Sequence, residues 1–411
     1  MSNRNLVVAV SALGGCVAGI LLGFTISRSL SAQSLHKKKL AKKQRGSQSQ
    51  PRTRKHTRKR KLGRSGVEIT VLGQGGASLG DLYVKIDNST AMQTLKAAND
   101  CGIGFYDTSP YYGVGLSEAR FGVGLHHFRR SCFVLQTKVG RYLVPDRAAN
   151  NGLDSGWIGG FHMRIQFDYS AAALFRQYEN SLQRMGLGYI DSLVIHDLEP
   201  TPHIIEGKTN GVSEARAHLE VPIFREIDYS RTIFNPCRTH LIREFEQVFR
   251  ESGFAQLQAM RRSGLIKVFG AGLNSNENGE NPDTKRAWNK EYLAALITMG
   301  EESSEGRGVD FLLLANMWSL LNFEAMEEGI LDLCLEKGIS VVVGGPFSSG
   351  ILATGADPSN GSVPFYNYAP ASDEVRCHPH HIKTKTKANT NTNPDTKIKI
   401  LRTKKSLHTS D

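Results

Sequence analysis

The 411-residue chain lacks the spacings that indicate several common kinds of site. None of its six cysteines forms a CxxC pair, so the sequence predicts no zinc or other metal site. Six cysteines without such spacing fit free thiols better than a disulfide framework. There is no phosphate-cradling GxxxxGK[ST] and no GxGxxG after the first apolar run. These absences disfavour a P-loop protein and an open, doubly wound dinucleotide-binding sheet.

Acidic residues are missing from the start of the chain and scarce at its end. Residues 1–61 carry 15 Lys and Arg with no Asp or Glu, and residues 376–411 carry nine bases and two acids. The part between them, residues 62–375, holds 27 bases and 37 acids. The net charge of +12 therefore comes from the two ends and gives no sign of a folded basic surface, so a nucleic-acid partner is not expected.

The two ends read as accessories to the central part. Residues 6–26 carry no charge and are long enough to span a bilayer, which takes about 20 helical residues. We therefore expect residues 1–30 to be a transmembrane anchor with the body on the cytoplasmic side; the alternative is a cleaved signal or organelle-targeting peptide. Residues 31–61 predict a basic disordered tether, and residues 372–411 predict a disordered tail rich in Lys, Thr and Asn.

Between the ends, short apolar runs alternate with stretches of helical spacing. The runs are EITVLGQG, GIGFYDTS, CFVLQTKV, IDSLVIHD, IKVFGAGLN, VDFLLLANM and ISVVVGGPF. Their almost continuous apolarity is typical of parallel strands covered on both faces. Ser170 and Gly338 stand where a helix N-cap and C-cap are expected. Seven such strands are one short of a closed eight-stranded barrel, and an open sheet is the alternative.

Polar side chains follow these runs at the point where each strand is expected to end. The second run ends at Asp107, with Tyr112 in the loop GFYDTSPYYG, the third at Lys138 and the fourth at His196; Asn274 and Trp318 follow the fifth and sixth. In a parallel barrel the carboxyl ends of the strands meet at one rim, where catalytic groups stand. The sequence therefore predicts that these side chains share a site.

These residue types suit proton transfer to or from an oxygen. A free tyrosine has a pKa of about 10, and a nearby lysine ammonium favours the phenolate. Asp107 would keep Lys138 charged and oriented, and His196 would hydrogen-bond the substrate oxygen. Tyr112 then serves as a proton donor or acceptor for a carbonyl or alcohol, and the hydride carrier must be a borrowed cofactor.

Residues 62–371 resemble the aldo/keto reductase family, in particular its branch of L-fucose/L-galactose (D-threo-aldose) 1-dehydrogenases. The resemblance lies in stretches such as GVEITVLGQGGASLGDLY, GIGFYDTSPYYGVGLSEARFGVGL, QTKVGRYL, MRRSGLIKVFGAGLN and GISVVVGGPFSSGILATG. It implies a TIM-type (β/α)8 barrel, NAD or NADP as cofactor, and a catalytic tetrad. The residues that it implies are Asp107, Tyr112, Lys138 and His196 for catalysis, and Asn274, Trp318, Gly345, Pro346, Phe347, Ser348 and Gly350 for the cofactor.

The chain departs from the family pattern in two places. Residues 201–250 form a long insertion after the fourth strand, on the catalytic rim. After FYNYAP the family continues with a helix, an eighth strand and an adenosine-binding motif, whereas this chain continues with its basic tail. We therefore expect a barrel that lacks the eighth strand–helix unit, is destabilised by open edges and binds the dinucleotide poorly.

The resemblance implies oxidation of an aldose at C1 to a lactone by hydride transfer, with Tyr112 as the acid–base. Two alternatives stay open. One is an aldehyde or ketone reductase that takes a small carbonyl substrate. The other is a membrane-tethered, non-catalytic pseudoenzyme, favoured by the loss of the C-terminal cofactor-binding unit. The sequence does not distinguish NAD from NADP, name the substrate or give the oligomeric state.

Overall fold

The computed structural model describes residues 7–11, 58–147, 157–196, 249–275, 282–356 and 363–377. The expected insertion at 201–250 lies outside these ranges except for its last two residues, which begin a helical turn at Phe249–Gly253. Most of the predicted tether and tail also lie outside them. The chain divides into two compact units, Met1–Pro346 and Phe347–Asp411.

A closed parallel barrel forms the centre of the first unit. The strands of this unit are β1 (Val7–Ser11), β2 (Lys59–Lys61), β3 (Glu68–Thr70), β4 (Leu72–Gly75), β5 (Phe105–Asp107), β6 (Val134–Val139), β7 (Arg141–Pro145), β8 (Met163–Phe167), β9 (Ser192–Ile195), β10 (Val268–Asn274), β11 (Phe311–Ala315) and β12 (Ser340–Gly344). The order around the barrel is β4, β5, β6, β9, β10, β11, β12 and β1. The (β/α)8 barrel is thus confirmed. All seven predicted runs contribute a strand to it, but the first run, residues 68–75, is divided into β3, which lies outside the barrel sheet, and β4, which joins it.

The eighth position of the barrel is filled from the start of the chain. Strand β1 lies between β12 and β4 and is parallel to both, with Val7 opposite Val341 and Ala9 opposite Leu72. Hydrogen bonding on both sides leaves no open edge between β12 and β4. The expected loss of the C-terminal eighth strand is therefore offset by a strand from residues that the sequence had assigned to a membrane helix.

The predicted membrane anchor at 6–26 is wrong where the structure describes it, because Val7–Ser11 is a strand; the other residues of that stretch lie outside the described ranges. Among the residues that the structure does describe, no helix is long and apolar enough to cross a bilayer. The single-pass membrane location and the membrane partner expected from the sequence are corrected accordingly. A short uncharged run of β-branched residues is typical of a buried strand as well as of a helix in lipid. The length of the uncharged stretch did not distinguish a strand from a membrane helix.

A hairpin lies at the amino-terminal end of the barrel. Strands β2 and β3 pair antiparallel, and Leu62 and Ile69 join an inner apolar cluster with side chains from the starts of the barrel strands. The other members of that cluster are Phe105, Val194, Val268, Phe311, Leu313 and Val342. This packing fills the lower interior and leaves the polar positions to the opposite, carboxyl end. The sequence assigns Lys59–Lys61 to a disordered tether, but the structure shows these three residues as a strand.

Helices follow most of the barrel strands. They are α1 (Asn88–Asp100), α2 (Leu116–Leu125), α3 (Ala171–Met185), α4 (Phe254–Arg262), α5 (Pro282–Glu302), α6 (Glu324–Glu327) and α7 (Ile330–Lys337). Ser170 caps α3 as predicted, since its side chain accepts a hydrogen bond from the backbone of Ala173, and Gly338 caps α7 with a φ of 71°. The single helix predicted over 323–338 is two helices, because Gly329 adopts a left-handed conformation between them.

Where the structure describes it, at residues 347–356 and 363–377, the second unit contains small elements. They are α8 (Ile351–Thr354), the antiparallel strands β13 (Phe365–Tyr366) and β14 (Ala369–Pro370), and α9 (Asp373–Cys377). None of the strands described after Gly344 joins the barrel sheet. The start of the segment predicted as a disordered tail is therefore helical, at residues 373–377.

Candidate active site

The side chains of Asp107 and Lys138 form an ion pair inside the carboxyl end of the barrel. Asp107 is the last residue of β5, and Lys138 lies near the end of β6. The lysine Nζ is 3.0 and 2.9 Å from the two carboxylate oxygens and also donates to the carbonyl oxygen of Thr108 at 2.9 Å. Only 1% of Lys138 and 4% of Asp107 are exposed. Three good acceptors hold the buried ammonium in a fixed place. Removing one member of such a buried ion pair costs about 3–5 kcal/mol, because the other charge is left without a partner.

Tyr112 lies beside this ion pair and is half-buried. Lys138 Nζ is 4.5 Å from the centroid of the Tyr112 ring, and the imidazole of His196 packs edge-on against the same ring at 6.1 Å. The structure thus brings together the four side chains that the sequence placed at one rim. A phenol this close to an ammonium, with an imidazole next to it, has the components for moving a proton to or from a substrate oxygen.

His196 is oriented by two residues that the sequence analysis missed. Its Nδ1 is 3.1 Å from the Ser109 hydroxyl, and its backbone carbonyl accepts a hydrogen bond from the Tyr169 hydroxyl at 2.8 Å. Ser109 also accepts a hydrogen bond from the backbone of Tyr111, so one serine ties the imidazole to the loop that carries Tyr112. The only sequence signal was the serine of TSPYY, which is equally typical of an ordinary turn.

The loop that carries Tyr112 is held in an unusual backbone conformation. Gly113, Val114 and Gly115 have φ angles of 61°, 42° and 102°. A left-handed conformation is unfavourable for a β-branched residue such as Val114, which is fully buried. A backbone in this state persists only when its surroundings impose it, and such residues concentrate at functional sites.

Gly80 lies directly against this loop from the turn Ser78–Gly80. A Cβ on Gly80 would lie 2.5 Å from the carbonyl carbon of Tyr112, and one on Gly113 would lie 2.6 Å from the carbonyl oxygen of Gly80. The turn is in turn held by Arg120, which donates to the carbonyl of Leu79 at 2.7 Å. Close backbone packing on both sides therefore sets the height of the tyrosine above the barrel.

Aromatic residues pack against the ring of Tyr112 and its neighbour Tyr111. The Trp157 indole packs against the rings of Tyr111 and Tyr112 at 5.2 and 5.5 Å, and the Arg141 guanidinium lies 4.0 Å from the centre of the Tyr111 ring. Trp157 is 2% exposed, and its indole N–H finds no acceptor among the residues that the structure describes. The sequence analysis missed Trp157, because a single tryptophan in a long connection has no spacing that marks it.

The residues expected to hold a cofactor follow β10, β11 and β12. Asn274 ends β10 and is half-buried, as is Trp318, which packs edge-on against Phe323 at 5.6 Å. Gly345 follows β12 with a φ of 66°, and a Cβ there would lie 2.2 Å from Asn316 Oδ1. This position accepts no side chain for two reasons, the backbone angle and the approach of Asn316. Pro346 ends the first unit.

The remaining expected cofactor residues belong to the second unit. Phe347 begins that unit, and Ser348 and Gly350 lie in a short turn with φ angles of 48° and 112°. The Ser349 hydroxyl accepts a hydrogen bond from the backbone of Tyr368, which ties the turn to the hairpin of β13 and β14. The turn is therefore built from residues in glycine-like conformations.

The sequence profile of the Aldo/keto reductase family matches residues 71–369. This chain belongs to the aldo/keto reductase family. It is thus a member of a family of oxidoreductases that generally use NAD(P)H.

Individual relatives agree with the predicted branch of the aldo/keto reductases. The chain is 31% identical over 329 residues to a pyridoxal 4-dehydrogenase of Microbacterium luteolum, with 78% of each chain covered. It is 27% identical over 316 residues to a D-threo-aldose 1-dehydrogenase of a Pseudomonas species, with 76% of this chain and 75% of that one covered. An L-galactose dehydrogenase of Arabidopsis thaliana is 34% identical over 142 residues, 34% of this chain and 38% of that one.

The aldo/keto reductase barrel rim of this chain has residues that suit a nicotinamide. The amide of Asn274 suits a carboxamide, and the half-buried indole of Trp318 offers a flat face. Asn274 ends β10 and Trp318 follows β11, on the carboxyl end where Asp107 and Lys138 also stand. The residues present thus fit the nicotinamide end of the cofactor.

Proposed function

We propose that this chain is an NAD(P)-dependent dehydrogenase that oxidises an aldose at C1 to the lactone, with Tyr112 as the acid–base. The observation that carries the proposal is the buried Lys138, which is bonded to both oxygens of Asp107 and lies 4.5 Å from the Tyr112 ring centre. The 27% identity to a D-threo-aldose 1-dehydrogenase supports the choice of substrate.

In the oxidation direction Tyr112 receives the proton of the C1 hydroxyl at its phenolic oxygen. The O–H bond breaks and a C=O bond forms at C1, while the hydrogen on C1 leaves with its electron pair. Lys138 stabilises the phenolate form of Tyr112 that can take this proton, and Asp107 balances the charge of the lysine. His196 hydrogen-bonds the same substrate oxygen. The nicotinamide cofactor, which Asn274 and Trp318 would hold, would supply the hydride acceptor.

In the reduction direction the same groups work in reverse, with the Tyr112 hydroxyl as the proton donor. An aldehyde or ketone reductase therefore needs no other residues, and the direction depends on substrate and cofactor supply.

A second substrate class has support of its own. The relative with 31% identity over 78% of the chain is a pyridoxal 4-dehydrogenase, and the site is bordered by the rings of Trp157, Tyr111 and Tyr112. A flat aromatic aldehyde packs well against such rings. Pyridoxal is therefore the second candidate substrate.

The test is cofactor reduction by the purified full-length chain. NAD or NADP is offered with L-fucose, L-galactose, D-arabinose or pyridoxal, and formation of the reduced nicotinamide is followed by its near-ultraviolet absorbance. The full chain is needed because Val7–Ser11 is part of the barrel. The catalytic variant is Tyr112→Phe. Its matched control is Tyr189→Phe, since Tyr189 is a partly exposed ring before β9.

Sugar-dependent reduction that is lost in Tyr112→Phe and kept in Tyr189→Phe is the expected result. Reduction with pyridoxal alone would assign the second substrate class. A folded protein that binds the cofactor but turns over none of these substrates would contradict the proposal and favour a non-catalytic role.

A further inference from the structure

We propose that Gln136 is a positioning residue that fixes the Asp107 carboxylate and, through it, the alignment of Lys138 with Tyr112; the inference rests on the proposed function. Gln136 Nε2 donates to Asp107 Oδ1 at 2.6 Å, which is shorter than either Lys138 contact with the carboxylate. Gln136 is fully buried. The family resemblance assigns no role to this position.

The amide of Gln136 is itself oriented by a third strand. Ser192 at the start of β9 donates its hydroxyl to Gln136 Oε1 at 3.1 Å. An amide side chain has one accepting and one donating end, so a donor on the oxygen directs the N–H₂ end toward Asp107. The three residues are opposite each other in the ladder, with Asp107 paired to Gln136 and Gln136 to Ser192. The register of β5, β6 and β9 therefore builds a hydrogen-bonded row beneath the ion pair.

This row gives the carboxylate one orientation. Lys138 bonds both oxygens of Asp107, and Gln136 adds a donor to Oδ1. Without Gln136, a buried acceptor would lose a hydrogen bond in a place closed to water, and the carboxylate could turn about its Cβ–Cγ bond. The lysine would follow its partner, and its distance from Tyr112 would change. A shift of about 1 Å in a catalytic group can lower a rate by about 100-fold.

Gln136 acts only through Asp107. It lies two residues before Lys138 on the same strand. Its replacement should thus change kcat while the KM for substrate and cofactor stays near that of the unmodified chain.

The charged groups around Gln136 show how a glutamate at this position would behave. On β5 and β6 these groups are Asp107 and Lys138. At the start of β9, Asp191 is already paired with Arg130 and Lys267 at 2.6 and 2.7 Å. Gln136→Glu keeps the shape and the oxygen that accepts from Ser192. When the introduced carboxyl is protonated it donates to Asp107 as the amide does, and when it is ionised two carboxylates confront each other.

The first experiment is the pH dependence of kcat and KM for the full-length chain, Gln136→Glu and Gln136→Leu. For Gln136→Glu we expect kcat relative to the unmodified chain to be about 10-fold lower near pH 8 and to recover as the pH falls, with KM changed less than about twofold. Gln136→Leu should lose a similar factor at every pH. Gln258→Glu is the matched control, because Gln258 is a buried glutamine on α4 whose side chain donates a long hydrogen bond of 3.3 Å to the Arg307 carbonyl. It should show no recovery at low pH.

The second experiment does not depend on turnover. Thermal unfolding is measured against pH for Gln136→Glu, Asp107→Asn and the double variant that carries both changes. The double variant has an amide at position 107 and a carboxylate at position 136, so one donor and one acceptor again face each other. It should therefore be more stable above pH 8 than Gln136→Glu alone.

The two experiments separate the possible failures. If the unmodified chain turns over no substrate, the proposed function fails, and the unfolding cycle alone decides whether Gln136 orients Asp107. If the chain is active but the kcat ratio of Gln136→Glu does not change with pH, the positioning role is overturned. Equal stability of the double and single glutamate variants at high pH also overturns it.

Discussion

Gly80 and Tyr112 touch through their main chains, with no room for even a methyl group between them. The contact joins the loop after β4 to the loop after β5. The position of the proposed acid–base, Tyr112, above the barrel is therefore fixed by two packed backbone segments and not by a flexible side chain. A residue with no functional group therefore controls the site.

Gly80→Ala should lower kcat by at least about 10-fold, because the new Cβ meets the carbonyl of Tyr112, which cannot rotate away as a side chain could. The overpacking should also cost about 1–3 kcal/mol of unfolding free energy. Both follow from steady-state kinetics and denaturant unfolding. Gly188→Ala is the control, since nothing lies within 4 Å of a Cβ there. Equal kcat in the two variants would show that the loop adapts freely.

Ala9→Pro should destabilise the barrel by about 3 kcal/mol, because proline has no N–H for the ladder and Ala9 pairs with strands on both sides. The measurement is thermal unfolding of the full-length chain. Ala9→Val, which keeps the N–H and favours a strand, should unfold close to the unmodified chain. Unchanged unfolding of Ala9→Pro would mean that the strand does not close the barrel in solution.

Trp157→Phe should raise the KM for a polyhydroxylated substrate by about fivefold, since the buried indole N–H is available for a substrate oxygen and one hydrogen bond contributes about 1 kcal/mol. The KM for a simple aliphatic aldehyde in the reduction direction should stay the same, because such a substrate has no hydroxyl to accept from the indole. If both KM values rise alike, the ring acts by its packing alone.

Cys334 should resist alkylation in the folded protein. Burial raises the pKa of the Cys334 thiol from its ordinary 9.0 to about 12, so almost no thiolate exists at pH 8. The exposed Cys101 and Cys132 should react with iodoacetamide first, as peptide mass spectrometry will show. Because the folded state keeps this proton more tightly, its stabilising effect is complete below pH 9 and is lost as the pH rises toward 12. Rapid labelling of Cys334 at pH 8 without unfolding would contradict the assignment.

The barrel and its main polar residues could be predicted because their signals are local. Each buried strand is a short apolar run, and Asp107, Lys138 and His196 stand at the ends of such runs. The rule that parallel strands end at one rim then brings them together without any knowledge of distant contacts. The confirmed N-cap at Ser170 is local in the same sense.

The missed features depend on partners far away in the sequence. Gln136 is one of several polar residues that interrupt the apolar strands. Nothing distinguishes it until its neighbours in the ladder, Asp107 and Ser192, are known. Val7–Ser11 has the composition of a membrane segment, and only the vacant position beside β12 and β4 makes it a strand. The left-handed Val114 has no sequence signal at all, since valine is among the residues least suited to that conformation.

The pairing of Val7 with Val341 has a consequence for how the chain is made. Strand β1 has to wait for β12, which lies far later in the sequence, before it finds a neighbour on that side. Contacts so distant in sequence carry a large loop-closure entropy and slow the folding of the domains that depend on them. Closure of this barrel is therefore a late step of folding, and until it occurs both β4 and β12 expose an unpaired edge to other chains.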